Sequence, residues 1–553
     1  MNLPLNIAIV VLAIAVTLGW ALLRTRRALH MLQLDSYANH RLLQWLMAQP
    51  RSRLLEVPSG LCHGLFLAMT LVLPAGFVTG ALLLGAWVVC EAGLLVYAYR
   101  QAEPAKKPLV YTGRARRILA MSLAISGAIM GLGTWLALSR VQADVTTTLS
   151  AGAVLVILLA TLAVMQLSPL TTVLANLILS PVQHIINQTY LRRAQNRLRD
   201  VQPLVIGITG SYGKTSTKYL LQHLLANHRQ VLKTPLSYNT MMGICRVINE
   251  SLDANCEVFI AEMGAYRRGD IKELSAFVHP AIGILTAIGP QHLERFKTID
   301  NIQATKYELI EALPASGVAI FNNDDPRCRA LADRTTHVRV MRYGLETTGQ
   351  TLDLWAEHIA MGSAGLSFTM AGRDGWRLDV RTILLGRHNV LNILGACCAA
   401  LAIGISGDDL AKAIQHLPPV PHRLQLLDNG SGVTIIDDSY NSNPIGAMEA
   451  LEVLGSFTTG QRILVTPGMV ELGPLEGQLN EQLGAKAAEV CDYVVLVGVE
   501  RTRPLVAGLQ ANNFPPEKIR VVRDLNAATI VLPTIVAAGD TVLFENDLPD
   551  LYS

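Results

Sequence analysis

A glycine-rich segment at residues 207–216 carries the side chains best suited to chemistry. A short apolar stretch at 204–208 predicts a buried strand before its turn, and a helix is predicted after it at 217–226. In a turn between strand and helix, backbone N–H groups can surround phosphate oxygens at the positive end of the helix dipole. The segment therefore predicts a nucleotide phosphate site. Its predicted contact residues are Thr209, Gly210, Ser211, Gly213, Lys214, Thr215 and Ser216.

Two side chains of this segment have defined roles in phosphate chemistry. Lys214 is placed to reach the β- and γ-phosphates of ATP, and Thr215 is placed to hold Mg2+. The general pattern G-x-x-x-x-G-K-[ST] is not met, because Ile208 stands at its first position. The segment instead reads G-x-T-G-x-x-G-K-T from Gly207. ATP and Mg2+ are the predicted cofactors.

Two further polar residues follow predicted strands. Glu262 comes directly after an apolar stretch at 258–261, and His292 follows another at 282–288. The carboxyl ends of parallel strands line a cleft at one edge of a sheet, where a carboxylate can bind magnesium. A solvated acid at a strand end and a helix-capping histidine are the alternatives that these residues leave open.

The chain from residue 201 onward alternates short β-rich apolar stretches with helical patterns, which is typical of an α/β domain with a parallel sheet. Its 553 residues are too many for one ordinary domain, and we expect two or three units. The net charge of +3 is too small to indicate a nucleic acid partner. The eight scattered cysteines, without a C-x-x-C pair, indicate buried thiols rather than a zinc site.

The N-terminal part of the chain is more apolar. The chain is 51% hydrophobic and 16% charged, with a mean hydropathy of +0.34, which is unusual for a soluble protein. The five predicted membrane spans are 4–23, 60–78, 80–99, 118–138 and 149–168. Positive charges follow the first span rather than precede it, so we interpret it as a retained anchor and not a signal peptide.

The basic residues of the loops orient these spans. Loops 24–58 and 100–117 each carry six Arg or Lys residues, whereas loop 139–147 carries only Arg140. The positive-inside rule then places the N-terminus outside and the chain after the fifth span in the cytoplasm, as in a multi-pass protein of the inner or plasma membrane. The spans are either a simple anchor or a substrate-binding region. Glu91 is singled out because it is an ionic residue within a predicted span.

Residues 169–199 have the pattern of an amphipathic helix that lies along the membrane interface. Arg192, Arg193 and Arg197 would suit anionic lipid headgroups there. A plain linker helix explains the same pattern, and both interpretations stay open.

Eight further segments follow the phosphate loop in a characteristic order. They are 237–243 (SYNTMMG), 261–264 (AEMG) with 269–271 (GDI), 289–295 (GPQHLER), 304–309 (ATKYEL), 322–326 (NNDDP), 386–392 (GRHNVLN), 421–423 (PHR) and 436–444 (IDDSYNSNP). Together with the loop, they make residues 200–545 resemble the Mur ligase family. The resemblance is strongest to the branch that adds D-alanyl-D-alanine to the muramyl tripeptide.

The resemblance, taken with the spans, implies three regions. They are an α-helical membrane region at 1–199, a P-loop parallel-sheet ATP-binding domain at 200–420 and a Rossmann-like C-terminal domain at 421–553 that closes over the nucleotide.

The resemblance also implies roles for single residues. His292 would be a ligand of a second magnesium ion, and Lys306 would be carbamylated by carbon dioxide to help hold that ion. The implied nucleotide contacts are Asn389 and Asn392 with adenine, Arg423 with the phosphates and Asp438 with the ribose hydroxyls. Lys214, Lys306, His292 and Arg423 are the residues implied in catalysis.

Amide formation from a carboxylate in water needs a better leaving group, which transfer of the ATP γ-phosphoryl group provides as an acyl phosphate. We therefore expect an ATP-dependent ligase that joins a carboxylate acceptor to an amino-acid or dipeptide amine, on a cell-envelope precursor of peptidoglycan synthesis. The alternatives are D-alanyl-D-alanine addition to UDP-linked muramyl tripeptide, poly-amino-acid synthesis, and a nucleotide-binding scaffold for envelope assembly.

Two departures from the family pattern bear on the substrates. The spans occupy the place where the family has a soluble domain that binds a uridine nucleotide. A lipid-linked precursor in the bilayer is therefore a candidate for the acceptor. The family's basic stretch after the last strand is replaced by an acidic one at 544–550, which favours a cationic amine.

Overall fold

The computed structural model describes residues 2–35, 37–72, 80–101, 108–139, 150–345, 351–428, 430–440 and 442–547. The chain forms two compact units, Met1–Asn187 and Gln188–Ser553. Lys106, Lys107 and Arg140, on which the orientation partly rests, lie outside the described residues, as do parts of the second predicted span and of the acidic segment.

The described part of the first unit is helical. Its helices are α1 Asn2–Leu34, α2 Asn39–Ala48, α3 Val57–Val72, α4 Gly80–Arg100, α5 Gly113–Ser139 and α6 Ala151–Val201, the last of which continues into the second unit. Among the described residues, α1, α4, α5 and α6 are long and apolar enough to cross a bilayer. Helix α3, with 16 residues, is shorter, so the second predicted span stays a prediction.

Helix α1 does not end where the first span was predicted to end. It passes Arg24, which is 7% exposed, and runs on to Leu34. The guanidinium of Arg24 donates to the carbonyl oxygens of Met165 and Leu54, each at 2.6 Å. Met165 lacks its usual helical donor, because Pro169 has no N–H to give to the carbonyl four residues before it. This buried arginine therefore satisfies backbone carbonyls instead of marking the end of the apolar helix.

Helix α6 joins two elements that were predicted to be separate, the fifth span and the interfacial helix, and it contains Pro169 and Pro181. Its C-terminal part belongs to the second unit, where Ala194 is fully buried against that unit's core. Arg197 donates through Nε to the carbonyl of Leu252 but is exposed, as are Arg192 and Arg193, so contact of these arginines with lipid headgroups stays a prediction. This part of α6 packs on protein, as a linker helix would.

Glu91 on α4 is fully buried within the first unit. Its Oε1 accepts from Ser59 Oγ at 3.1 Å and lies 3.2 Å from His63 Nδ1, both on α3. The other ring nitrogen of His63 lies 3.2 Å from Thr161 Oγ1 on α6. These contacts join three helices through buried polar groups, which is a common way for helices to associate in a bilayer.

The second unit contains two sheets. The strands of the larger sheet are β1 Leu204–Thr209, β2 Val231–Lys233, β3 Val258–Glu262, β4 Ile282–Leu285, β5 Val318–Asn322, β6 Arg339–Gly344, β7 Leu354–Gly362, β8 Gly365–Gly372 and β9 Arg377–Thr382. Their order is β2-β3-β1-β4-β5-β6-β7-β8-β9, parallel from β2 to β7 and antiparallel from β7 to β9. We call this part the nine-stranded domain.

Helices cover both faces of the parallel strands. They are α7 Lys214–Leu225, α8 Met241–Ser251, α9 Asp270–Val278, α10 Leu293–Phe296, α11 Ile299–Glu311, α12 Pro326–Arg334, α13 His388–Ala402 and α14 Gly407–Gln415. Successive strand residues point to opposite faces. Ile206 and Ile208 of β1 thus enter the core formed with α7 and α13, whereas Val205 enters the core formed with α8 and α9.

The smaller sheet has the strands β10 Gln425–Asp428, β11 Thr434–Asp438, β12 Arg462–Thr466, β13 Tyr493–Val497, β14 Ile519–Val522 and β15 Thr541–Glu545. Their order is β10-β11-β15-β12-β13-β14, and every pair except β10 with β11 is parallel. The accompanying helices are α15 Pro444–Gly455, α16 Glu476–Val490, α17 Arg503–Ala511 and α18 Leu525–Val531. We call this part the six-stranded domain. The prediction of α/β domains with parallel sheets is confirmed.

Candidate nucleotide and metal site

The glycine-rich loop lies between the end of β1 and the start of α7. Gly210 and Gly213 have φ values of 151° and 79°, a region that favours glycine. A Cβ on Gly213 would lie 2.5 Å from Asn392 Oδ1, so a side chain does not fit there. Helix α7 begins at Lys214, three residues earlier than predicted, which places Lys214 and Thr215 in its first turn beside the positive end of the dipole.

Lys214 folds over this loop. Its ammonium donates to the carbonyl oxygens of Gly210 at 2.6 Å and Ser211 at 3.1 Å. Burial lowers the pKa of Lys214 to about 8, an effect that Glu262 opposes and Arg423 reinforces. A buried cation at a helix N-terminus, with a guanidinium nearby, is suited to a polyphosphate anion.

Glu262 ends β3, next to β1 in the sheet, and its side chain is almost fully buried. Its Oε2 accepts from Thr215 Oγ1 at 3.1 Å and pairs with Lys218 Nζ at 2.8 Å. Its Oε1 accepts from Asn239 Nδ2 at 3.1 Å. The alternative of a solvated strand-end acid is therefore wrong for Glu262.

Lys218 and Asn239 were not among the predicted site residues. Lys218 lies one helical turn after Lys214 on α7, and Asn239 lies in the segment 237–243. The spacing of four residues between the two lysines was the available signal, since it puts both on one face of the helix.

The oxygens of Thr215 and Glu262 are hard ligands of the kind that Mg2+ prefers, and their 3.1 Å separation lets one cation contact both. Over the part of the chain that the structure describes, no group of three or more His, Cys, Asp or Glu side chains is arranged to hold a metal. The residues thus fit a magnesium ion that takes its remaining ligands from water and from phosphate oxygens.

Lys306 on α11 and His292 before α10 lie beside this loop. Burial lowers the pKa of Lys306 to about 7, and the next largest cause is the nearby charge of Lys214. Burial also lowers the pKa of His292, which Lys214 and Lys306 reinforce. The alternative of a surface helix lysine is wrong for Lys306, which is 4% exposed. The structure therefore gathers Lys214, Glu262, His292 and Lys306 in one place.

Asn389 and Asn392, predicted as adenine contacts, are buried on α13. Asn392 Nδ2 donates to Asn389 Oδ1 at 3.0 Å, and Asn389 Nδ2 donates to the Leu385 carbonyl at 2.7 Å. Asn392 Oδ1 also lies 3.5 Å from Thr217 Oγ1 of α7. These bonds hold α13 against the phosphate loop, and the adenine contact stays a prediction.

Arg423 and Asp438 face the site from the six-stranded domain. The Arg423 guanidinium lies 4.7 Å from the centre of the Tyr440 ring. Burial raises the pKa of Asp438 to about 6, which Arg423 and His388 oppose. Both groups are therefore close to one another at the carboxyl end of β11, and their nucleotide contacts stay predictions.

Comparisons with known proteins agree with this architecture. Residues 208–400 match the model of the Mur ligase middle domain, and residues 422–545 match that of the Mur ligase glutamate ligase domain. A UDP-N-acetylmuramoyl-tripeptide--D-alanyl-D-alanine ligase of Bacillus subtilis is 31% identical over 354 residues, which are 64% of this chain and 75% of that protein. The chain belongs to the Mur ligase family. The resemblance seen in its sequence is confirmed.

Other members of the family extend this picture. A ligase of the same name from Mycobacterium tuberculosis is 35% identical over 306 residues, and the match spans 54% of this chain but only 59% of that relative. MurF from Acinetobacter baumannii has a TM-score of 0.58 at 26% identity, covering 65% of this chain and 77% of its own. MurF from Thermotoga maritima, solved with ADP, has a TM-score of 0.58 at 28% identity, covering 65% of this Mur ligase and 80% of its own chain.

Replacing Lys214 should stop phosphoryl transfer. Lys214→Ala removes the cation that is predicted to face the β- and γ-phosphates, at a cost of about 3 kcal/mol in the transition state, on the order of a hundredfold in rate. ATP-dependent phosphate release by the detergent-solubilised protein measures this. Lys272→Ala, at an exposed position on α9, is the control and should keep its rate. Normal turnover by Lys214→Ala would show that the phosphates bind elsewhere.

Proposed function

We propose that this protein is a membrane-bound, ATP-dependent ligase that forms an amide bond through an acyl phosphate. The observation that carries the proposal is the cluster of Lys214, Thr215 and the buried Glu262 at the carboxyl ends of β1 and β3. The family supports the same chemistry, since its named relatives are ligases and one was solved with ADP.

The residues of this site act mainly by position and charge. The N–H groups of residues 212–215 surround the phosphates, and Lys214 and Arg423 neutralise the charge of the transferring phosphoryl group. Thr215 and Glu262 would hold magnesium, which supplies positive charge to the phosphate oxygens when bound. The acceptor carboxylate attacks the γ-phosphorus and ADP leaves. The amine then attacks the acyl carbon, and phosphate leaves.

The substrates we propose are peptidoglycan precursors. The relatives named above add D-alanyl-D-alanine to a UDP-linked muramyl tripeptide, and the same pair is the first candidate here. A lipid-linked acceptor is the second candidate, because residues 1–207 precede both family matches and contain the apolar helices.

The six-stranded domain bears on the amine. Glu545 ends β15, and its fully buried carboxylate accepts from Ser442 Oγ and, at 2.8 Å, from Thr466 Oγ1. Burial raises its pKa to about 7, and nearby Asp438 adds to this. Because this acid is fully buried and both its oxygens are bonded within the protein, the preference for a cationic amine stays a prediction from the acidic segment 544–550.

A panel of substrates tests the proposal. The detergent-solubilised protein is given ATP, Mg2+ and pairs of one acceptor with one amine: UDP-muramyl tripeptide or its lipid-linked form, with D-alanyl-D-alanine, single amino acids or diamines. We expect phosphate release that depends on both partners and a product of the summed mass less water. Phosphate release that no pair stimulates would contradict a ligase and favour a nucleotide-binding scaffold.

The location we propose is a bilayer, with the second unit in the cytoplasm where ATP is available. Four apolar helices of the first unit support it, and so do the basic residues between them. A reporter fused after Ser553 should be active only in its cytoplasmic form. Activity of an exported reporter at that position would reverse the orientation, and recovery of the whole protein without detergent would reject the membrane location.

We propose that Lys306 is carbamylated. A pKa of about 7 leaves about half of its amines neutral at pH 7, and only a neutral amine adds to carbon dioxide, releasing a proton and leaving a carboxylate-like group. Activity should therefore depend on dissolved carbon dioxide and fall as the pH drops below 7. Lys306→Ala should be inactive and regain part of its rate in acetate, which can supply the missing oxygen ligand.

The matched control for this prediction is Lys214→Ala in the same acetate buffer. Its loss is not one of a metal ligand, so acetate should not restore it. Full activity of Lys306→Ala without acetate would reject the carbamate.

A further inference from the structure

One contact joins the nine-stranded domain to the six-stranded domain at the edge of the site. His292 occupies the N-cap position of α10 at a φ of 56° without a side-chain capping bond, and Glu471, in the loop after β12, has a φ of 64°. Nδ1 of His292 is in contact with Oε2 of Glu471. Both side chains are mostly buried, at 23% and 18% exposure. Two residues from different domains thus meet here, and both have left-handed backbone conformations.

The surroundings fix both partners of this contact. The N–H of Glu294 donates to the Glu471 carbonyl at 3.4 Å, and Arg295 Nη2 lies 3.9 Å from Glu471 Oε1. Arg295 also stacks on Tyr266 at 4.4 Å, and the Tyr266 ring meets the His292 ring edge-on at 5.2 Å. Tyr266 therefore packs against the face or edge of the imidazole, and Glu471 is the hydrogen-bond partner of its Nδ1.

The orientation of His292 is the one expected of a histidine that binds a metal ion. A histidine that binds a metal through one ring nitrogen usually donates the N–H of the other to a carboxylate, which fixes its tautomer and strengthens the ligand. Here Glu471 engages Nδ1, and this turns Nε2 to the opposite side of the ring. The ring lies near Lys214 and Lys306, beside the phosphate loop.

We propose that Glu471 is a positioning residue that presents His292 to magnesium only when the six-stranded domain has closed on the nine-stranded domain. Closure then completes the metal site, and a nucleotide bound to the open protein stays without its full set of cations. The inference rests on the proposed function, because it assumes that magnesium and a nucleotide bind at this site.

The test uses the full-length protein in detergent with the nonhydrolysable ATP analogue AMP-PNP. Calorimetry gives the Mg2+ concentration at which analogue binding is half-maximal. Glu471→Ala should raise that concentration by about tenfold or more, with unchanged analogue affinity in EDTA. Glu471→Gln keeps an oxygen that accepts from Nδ1–H, so its shift should be smaller. Glu500→Gln, which alters an exposed ion pair with Arg503 in the same domain, should cause none.

Hydrogen exchange supplies a second measurement that does not depend on turnover. In the wild type, AMP-PNP with Mg2+ should slow exchange in residues 289–298, since the Glu294 N–H is bonded across the contact. Glu471→Ala keeps this backbone carbonyl but removes the side-chain contacts with His292 and Arg295, so the protection should weaken, with exchange elsewhere unchanged, which also shows that the variant is folded.

Two outcomes separate the hypotheses. Failure of the wild type to bind AMP-PNP with Mg2+ would reject the proposed function itself. Normal wild-type binding, with a magnesium requirement in Glu471→Ala within twofold of wild type, would overturn the role of Glu471 alone. Loss of protection without a magnesium shift would also overturn it, because Glu471 would then hold the domains without orienting His292.

Discussion

The buried carboxylate of Glu262 is the constraint on which the site depends. An ionised acid without water is costly unless it is paired and hydrogen-bonded, and Glu262 receives Lys218, Thr215 and Asn239. These partners come from α7 and from the segment before α8. The end of β3, the first turns of α7 and that segment must therefore come together for the charge to be stable. Pairing of β3 with β1 in parallel provides this arrangement.

Several cationic groups lie close together around Glu262, and Asp270 and Glu308 offset only part of the effect on Lys306. Burial lowers the pKa of Lys214 to about 8 and that of Lys306 to about 7, and each lysine lowers the pKa of His292. A folded protein holds such groups against their mutual repulsion because an anionic ligand compensates them. Phosphate groups beside Lys214 would compensate these positive charges directly. Conversion of Lys306 into a carbamate would do so by turning one cation into a ligand for another.

The sequence predicted those site residues that lie in a recognisable local pattern, such as the glycine-rich loop or the end of an apolar strand. The strand before the phosphate loop, Thr215 and the strand-end position of Glu262 follow from spacing alone. Lys218 and Asn239 were missed, because only tertiary structure shows which polar side chains surround a buried acid. Glu471 was missed as a partner of His292 for the same reason, since 179 residues separate them.

The predicted end of the first membrane span was wrong for a related reason, and this error affects how the orientation of the chain is inferred. Arginine was taken as the end of the first span, yet the guanidinium of Arg24 is buried and donates to backbone carbonyls, one of which lacks a helical donor because of Pro169. A residue buried in this way does not report the side of the membrane. If Arg24 is left out of the charge count, loop 24–58 still has five of its six arginines, and two of them, Arg26 and Arg27, are exposed. This loop still carries more positive charge than loop 139–147, so the proposed orientation of the chain depends on arginines such as the exposed Arg26 and Arg27 and not on the buried Arg24.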